Sequence, residues 1–219
     1  MVSLTRHLQL YGLLQLLWHA HSLKPTTFPP LIDVPTYSLS TRGEDPSLDT
    51  MNILTYASPV SIKPHRMWSI SLYKGTLTHE NFVRERRGVL QLLTQEHAQD
   101  ANNNGPGSLI RILGGTSGKD VNKRLQCEKL GYAWNELDID ESGEWPSVLP
   151  GCIHYLHLEL QGDLVDCGSH EVALCRVVSM TSDESIESAA MELDYLSTRV
   201  LRHMGIISEF GRIAENVDE

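Results

Sequence analysis

The sequence predicts a mainly β protein, in which closely spaced strands form a small antiparallel barrel with helices at its periphery. Three observations support this fold class. Short segments rich in β-branched and apolar residues follow one another at close intervals, and turn-forming residues separate them. The strands do not alternate regularly with helices, which disfavours a parallel doubly wound sheet. Close strand spacing instead suits a small antiparallel barrel.

The first half of the chain contains most of the predicted strands. A turn-rich segment, RGEDPSLD, separates the first two strand candidates, and SPVSIKPHR is expected to connect the next two. Thr78 is expected to open a short helix with the pattern Thr-x-x-Asn. The strand candidates in this half are Tyr37–Thr41, Met51–Tyr56, Met67–Leu72 and Gly88–Thr94.

The second half combines two long strand candidates with helical segments. The apolar run Leu109–Leu113 precedes a helix expected to begin within Thr116–Asp120, with Ser117 as its cap. The clearest helix is expected over Thr181–Met204, opened by a capping box at Thr181–Glu184. The two strand candidates are Ile153–Leu160 and Glu171–Met180, and the segments expected to be turns or exposed loops are Glu96–Ser108, Leu137–Pro150 and Gln161–Ser169.

Composition and charge exclude several classes of function. The formal net charge of −10 argues against a broad nucleic-acid-binding surface, which needs a basic footprint, although a local basic pocket stays open. The four cysteines include no C-x-x-C pair, so we expect reduced, packed thiols and no structural metal. His154 and His157 face opposite sides of their predicted strand, which argues against a paired metal site.

The N-terminal region differs from the rest of the chain. No Asp or Glu occurs before Asp33, and Leu8–Trp18 is strongly apolar but too short to span a membrane. This run suits the core of a targeting peptide, and it equally suits a retained amphipathic helix. We therefore divide the chain into a targeting segment or helix with a Pro-rich linker at 1–34, a barrel domain at 35–210 and an acidic tail at 211–219. A cytoplasmic location, or a plastid or mitochondrial one if the segment is a transit peptide, stays open.

The stretch TMNILTYASPVSIKP, from Thr50 to Pro64, is rich in hydroxyl and amide side chains and contains no acidic residue. Such groups can donate several hydrogen bonds to a ligand. Lys74 and Thr78 follow, and a cation beside a helix N-terminus is a favourable place for a phosphate. The alternative is an edge strand rich in Ser and Thr, with Thr78 acting only as a helix cap.

Three motifs together resemble the flavin reductase-like proteins, also known as FMN-binding split barrels. The first is TMNILTYASPVSIKP followed by WSISLYKGTLTHENF, the second is LIRILGGTSGKDVNK, and the third is DCGSHEVALCRVV. They are similar to the N-x-x-T-x-S-x-x-x-P-V-S, T-x-x-N, S-G-x-D-x-x-K and G-D-H-x-x-x-x-G-x-V patterns of that family. The resemblance extends from about Tyr37 to Met180.

This resemblance implies a homodimeric split barrel with FMN or FAD bound near the dimer interface and NAD(P)H as the electron donor. It implies that His170 lies near the nicotinamide or the flavin ring. It also implies cofactor contacts by three groups of residues: Asn52, Thr55, Tyr56, Ala57 and Ser58 along the isoalloxazine and ribityl chain, Lys74, Thr78 and Asn81 at the phosphate, and Ser117 and Lys123 in the S-G-x-D-x-x-K segment.

Two departures from the family pattern bear on catalysis. Ser169 replaces the Asp of G-D-H, and Arg176 replaces the Gly of G-x-V. The leading hypothesis is an NAD(P)H-dependent flavin oxidoreductase. The alternatives are a split barrel that binds a flavin or a tetrapyrrole without turnover, and a degenerate barrel that serves only as a dimer partner. The nicotinamide is not identified, because no G-x-G-x-x-G fingerprint follows a strand.

Overall fold

The computed structural model describes residues 31–99, 105, 107–136, 145–182, 195–209 and 211–214. Within these residues, eight β-strands form one antiparallel sheet. The strands are β1 (Tyr37–Thr41), β2 (Thr50–Leu54), β3 (Ala57–Ser61), β4 (Met67–Tyr73), β5 (Arg87–Leu92), β6 (His154–Leu160), β7 (Val165–Cys167) and β8 (His170–Ser182). The helices are α1 (Leu77–Glu85), α2 (Ser108–Gly115), α3 (Lys123–Lys129) and α4 (Thr198–His203), with short 3₁₀ helices at Pro46–Leu48 and Gln95–Ala98.

The sheet is curled, because its two edges are neighbours in the sequence. The strand order is β2-β1-β5-β6-β8-β4-β3, and β7 pairs with β8 outside this path. Only Thr55 and Tyr56 separate the edge strand β2 from the opposite edge strand β3. The three Cα–Cα steps from Leu54 to Ala57 span at most about 11 Å, so the two edges must approach each other. The predicted mainly β, antiparallel split barrel with peripheral helices is confirmed.

The interior of the curled sheet is filled by one hydrophobic core. Side chains alternate across a strand, so one face of each strand points inward. Phe82 of α1 closes this core and is completely buried. The fully or largely buried members are Tyr37, Leu39, Leu54, Ile70, Leu72, Phe82, Leu90, Leu156, Leu158, Leu160, Ala173 and Cys175.

A second core covers the opposite face of β2, β5 and β6. Met51, Val89 and Tyr155 alternate with the inward residues of the same strands, and α2, α3 and α4 pack over them. Helix α2 contributes Leu109, Ile110 and Leu113 to this core. One half of the curled sheet is therefore covered on both faces.

Several element boundaries differ from the sequence-based expectations. The connector SPVSIKPHR contains β3, which pairs with β4 through Ser58–Ser69 and Ala57–Ile70. Because β3 is largely exposed, it lacks the alternating hydrophobic pattern that would have identified it. The turn expected at 161–169 likewise contains β7. Residues Pro146–Leu149, expected to be exposed, are buried.

Two helix starts were also placed wrongly. Helix α1 is capped by Thr76, whose hydroxyl accepts from the His79 amide, so Thr78 lies inside the helix. The apolar run Leu109–Leu113 belongs to α2, and α3 is capped by Asn122, not by Ser117. In each case two candidate N-cap residues lay within a few positions of each other. The local sequence pattern does not show which of the two caps the helix.

The long helix expected over Thr181–Met204 is wrong at its start, whereas its last residues are helical, up to the C-cap Met204. Thr181 and Ser182 are the last residues of β8, where Thr181 pairs with Tyr155. Helix α4 is short and is capped by Ser197. Residues 183–194 lie outside the described part of the chain, as do residues 1–30 with their expected targeting segment or helix.

Three of the four thiols are packed, as expected, and Cys167 is exposed. All four cysteines are free, and Cys127, Cys152 and Cys175 are buried. Burial raises the pKa of the Cys127 and Cys175 thiols to about 11 and about 12. These thiols pack as small apolar groups. Across the described ranges, the structure contains no helix of the length and hydropathy needed to span a membrane.

We expect Phe82→Ala to destabilise the protein by about 3–5 kcal/mol, because it removes a large buried ring that α1 inserts into the barrel. Urea denaturation gives the free energy of unfolding. Val83→Ala, on the exposed side of the same helix, is the control and should change it by less than about 0.5 kcal/mol. Equal losses for the two variants would show that α1 does not close the core.

Candidate functional site

The candidate site lies where the two edges of the sheet meet. We call the segment Asn52–Ser58 the split edge, because it contains the end of β2, the two-residue link and the start of β3. Tyr56 in the link is 66% exposed, although it is a large aromatic residue. Its carbonyl accepts a hydrogen bond from the Ser71 amide at 2.9 Å, which holds the link against β4. The ring is thus presented to solvent by a fixed backbone.

Tyr56 is part of an aromatic cluster with His170 and Tyr73. The His170 ring lies edge-on to Tyr56 with centroids 6.0 Å apart, and edge-on to Tyr73 with centroids 5.2 Å apart. Tyr73 and His170 are direct partners across the β4–β8 ladder. The structure therefore brings together two residues, Tyr56 and His170, that the sequence separates by more than a hundred positions.

The imidazole of His170 is oriented by its chain neighbour. The Ser169 hydroxyl lies 3.0 Å from His170 Nδ1, and the Ser169 carbonyl accepts from the Lys74 amide at 3.1 Å. A hydroxyl can supply the hydrogen bond of an aspartate but not its negative charge. The departure at Ser169 thus retains an orienting contact.

Lys74 borders the aromatic cluster, and its ammonium is paired. Lys74 Nζ donates to Asp166 Oδ2 of β7 at 2.7 Å. This hydrogen bond raises the pKa of Lys74, and it lowers the pKa of Asp166 together with the Gly168 amide. Both side chains are solvent-accessible, so an anion could compete with Asp166 for the ammonium.

The start of α1 differs from the expected phosphate site. Thr78 is 2% exposed and Asn81 is fully buried. Asn81 Nδ2 donates to the Leu48 carbonyl at 2.9 Å, and its Oδ1 accepts from Arg84. The polar atoms of Asn81 thus tie α1 to a loop. The Thr78 hydroxyl is buried and has no hydrogen-bond partner within the described residues.

Lys123 is buried beneath the split edge. Its side chain is 1% exposed, and Nζ donates to three oxygens: the carbonyls of Met51 and Leu113, at 3.0 and 2.7 Å, and Asn52 Oδ1, at 2.5 Å. Burial lowers the pKa of Lys123 to about 8. The structure therefore brings Lys123 to Asn52, which the resemblance also implies as a cofactor contact, but not to a surface where Lys123 could contact a ligand itself.

Ser117 belongs to a tight turn that packs on β2 and α1. The Lys119 amide donates to Ser117 Oγ at 3.1 Å, and Lys119 Nζ pairs with Glu80 at 2.6 Å. Gly118 approaches β2 so closely that an added Cβ would lie 2.6 Å from the Thr50 hydroxyl. Only glycine fits this position without displacing a neighbour.

The predicted residues thus form two groups. Tyr56 contacts His170, and the Lys74 amide bonds to Ser169 next to it, whereas Asn52 contacts Lys123. Thr55, Ala57 and Ser58 belong to the same split edge as Asn52 and Tyr56. Thr78, Asn81 and Ser117 use their positions for packing, capping or turn formation. Their roles toward a cofactor stay predictions.

Sequence reasoning missed Thr76, Tyr73 and Asp166. Thr76 caps α1 and was hidden by the neighbouring Thr78. Tyr73 and Asp166 reach the site through the pairing of β4 and β7 with β8. No local signal identifies such partners, since the pairing of distant strands is decided by the whole sheet.

Solved structures with the same fold include a flavoredoxin and an FMN-binding protein. Flavoredoxin from Methanosarcina acetivorans superposes with a TM-score of 0.58 and 14% identity, covering 75% of this chain and 77% of that chain. An FMN-binding protein from Thermus thermophilus gives 0.56 and 17%, covering 76% and 82%. The chain has the flavin reductase-like fold. This confirms, at the level of fold, the resemblance that the motifs indicated.

Another similar structure is the NADH:FAD oxidoreductase from Streptomyces globisporus, in complex with NAD and FAD fragments. Its TM-score is 0.55 at 14% identity, and the alignment covers 86% of this chain and 88% of that chain. No protein-family model and no curated protein sequence matches the chain.

We expect Lys123 to titrate near pH 8 in the folded protein, against its ordinary value of 10.5. Between these values the unfolded chain keeps the proton that the folded protein has lost. The free energy of unfolding should therefore rise with pH over this interval, by on the order of 3 kcal/mol. Below pH 8 Lys123 is charged in both states, so the full cost of burying its charge lowers the stability.

Carbon-13 NMR of labelled lysine Cε measures this titration, and urea denaturation across the same pH range measures the stability. Lys123→Met should remove both the titration and its share of the slope. A folded protein in which Lys123 titrates near 10.5 would contradict the expectation.

Proposed function

We propose that this protein binds FMN at the split edge and acts as an NAD(P)H-dependent flavin oxidoreductase. The observation that carries the proposal is the meeting of Tyr56, Tyr73 and His170 beside an exposed polar edge in a flavin reductase-like fold. Exposed aromatic residues held by ordered backbone offer faces and edges to a planar ligand. Such a surface has no role in the packing of the barrel itself.

The residues present fit a flavin mononucleotide in three respects. Tyr56 offers an aromatic surface. Asn52 Nδ2 has no hydrogen-bond partner within the described residues, so it is available to a ligand. Lys74 supplies a cation for a phosphate in exchange for Asp166. The bound flavin would supply the redox chemistry, and the protein would supply binding, orientation and electrostatics.

The use of NAD(P)H is supported by His170. Its ring lies at the end of the aromatic cluster, and Ser169 fixes its orientation. A nicotinamide must stack near the flavin for hydride transfer, and an oriented aromatic side chain at the margin of the site would guide it. One structural neighbour is named an NADH:FAD oxidoreductase, which supports the same reaction class.

A binding function without turnover is the second candidate. Ser169 carries no negative charge, and the ammonium of Lys74 is held by Asp166 at 2.7 Å. Arg176, which replaces a glycine of the family pattern, pairs with Glu159 at 2.7 Å on the outer face of the sheet. These features favour retention of a flavin or tetrapyrrole over rapid exchange with a second substrate.

We also propose that the protein is a homodimer through an uncovered sheet face. The outward residues of β7 and β8 include Val165, Val172 and Leu174. Val165 pairs directly with Val172, and Leu174 lies two residues further along β8. Val165 is 56% and Leu174 is 43% exposed, and neither belongs to the two hydrophobic cores of the described residues. His170 points to the same face, so a second copy seated there would border the aromatic cluster.

Titration with FMN tests binding, and NADH or NADPH oxidation tests turnover. We expect quenching of FMN fluorescence, visible flavin absorption that elutes with the protein, and nicotinamide oxidation that depends on added FMN. At a hundred times its dissociation constant, FMN should raise the free energy of unfolding by about 2.7 kcal/mol.

The outcomes separate the candidates. Binding without nicotinamide oxidation supports the second function and contradicts the first. A protein that stays colourless and gains no stability from FMN contradicts the first function and the flavin form of the second.

We expect Leu174→Glu to dissociate the dimer, because it adds a charge to the centre of the uncovered face. Sedimentation velocity measures the mass. Leu125→Glu, a matched change at an exposed leucine of α3, should leave the dimer intact. A wild-type monomer, or dimers in both variants, would argue against this interface.

A further inference from the structure

Lys123 is a buried lysine, and no carboxylate among the described residues accepts a hydrogen bond from it. All three of its donors face oxygens of uncharged groups. We infer that Lys123 is a positioning residue, which fixes the carboxamide of Asn52 so that Asn52 offers an N–H donor to the split edge. The inference rests on the proposed function for the identity of the ligand. It adds that Asn52 recognises this ligand as a hydrogen-bond donor.

The orientation of Asn52 follows from hydrogen-bonding chemistry. An ammonium group can only donate, whereas a carboxamide has one accepting end and one donating end. The end of Asn52 that meets Lys123 must therefore be Oδ1, which lies 2.5 Å from Nζ. A flipped carboxamide would direct Nδ2 at the ammonium and lose the contact.

Lys123 has little freedom to release Asn52. The Met51 and Leu113 carbonyls hold the same ammonium from β2 and from the end of α2, at 3.0 and 2.7 Å. Asn122 caps α3 one residue before Lys123 and fixes the start of its helix. The carboxamide is thus held by a donor that is itself held at two other points.

The consequence is a single polarised donor at the split edge. Asn52 is half-buried, and Nδ2 makes no hydrogen bond to any described residue. Because Oδ1 is bonded to a cation, the amide is polarised and Nδ2 becomes a stronger donor. The ligand atom that meets Asn52 must then be an acceptor, such as a carbonyl or hydroxyl oxygen or a ring nitrogen of FMN.

Lys123 itself does not contact the ligand in this arrangement. Its side chain is 1% exposed, and its three donors are already occupied. Lys123 therefore acts through Asn52.

The test removes the N–H donor of Asn52 and keeps a side-chain oxygen that accepts a hydrogen bond from Lys123. Asn52→Asp puts a carboxylate beside the ammonium, so the fold gains an ion pair while the split edge loses its N–H. We expect FMN, followed by fluorescence quenching, to bind roughly ten- to a hundredfold more weakly, with no loss of melting temperature. Asn135→Asp, at an exposed position, makes the same change of charge and should leave FMN binding unchanged.

Two further measurements separate this inference from the proposed function. In ligand-free protein, carbon-13 NMR of Lys123 Cε should show a higher pKa in Asn52→Asp than in the wild type, because a carboxylate replaces a neutral oxygen. In the double-mutant cycle, Lys123→Met should weaken FMN binding in the wild-type background but not in an Asn52→Ala background.

Wild-type affinity in Asn52→Asp overturns the inference even if FMN binding stands. An additive loss in the double mutant also overturns it. If the wild type does not bind FMN, the proposed function fails, and the ligand-free titration then decides whether the side chains of residue 52 and Lys123 meet. A Lys123 pKa that Asn52→Asp leaves unchanged would show that the two side chains do not meet. If Lys123→Met does not fold, the Asp variant still answers the question.

Discussion

The structure depends on the short connection between the two edges of its sheet. Thr55 and Tyr56 join β2 to β3, although six pairings of adjacent strands separate these strands around the sheet. The sheet must curl until its edges are neighbours, and this closure creates the interior that Phe82 and the inward leucines fill. The same closure exposes Tyr56, since a two-residue link leaves no room to turn its large side chain into the core.

The edge where β2 and β3 meet needs stabilising contacts from other elements, because β2 and β3 are not paired with each other by ladder hydrogen bonds. Lys123 provides part of it by joining the Met51 carbonyl to α2 and α3. Burial of a cation is costly unless its donors are satisfied, and here three oxygens satisfy them. Lys123 therefore stabilises the closed edge, and it also determines which hydrogen-bonding group Asn52 offers to a ligand.

The two halves of the sheet differ in how they are covered. Helices α2, α3 and α4 pack over β2, β5 and β6, whereas the outward face of β7 and β8 keeps apolar side chains in solvent. His170 and Tyr73 stand on that uncovered face, beside the link. The proposed ligand site and the proposed dimer face are thus adjacent, which follows from the strand order and not from any local motif.

The sequence by itself determined the class of fold, most strands and the polar character of the split edge, whereas the roles of Asn52, Tyr56 and His170 toward a cofactor stay predictions. These features are local, because strand periodicity and side-chain chemistry can be recognised within a few residues. Only the tertiary structure decided that Thr76, not Thr78, caps α1, that Asn81 faces a loop, and that Lys74 pairs with Asp166. It also decided that Lys123 lies in the interior. The physical reason is that burial and long-range pairing depend on how distant strands and helices meet, and no short stretch of sequence contains that information.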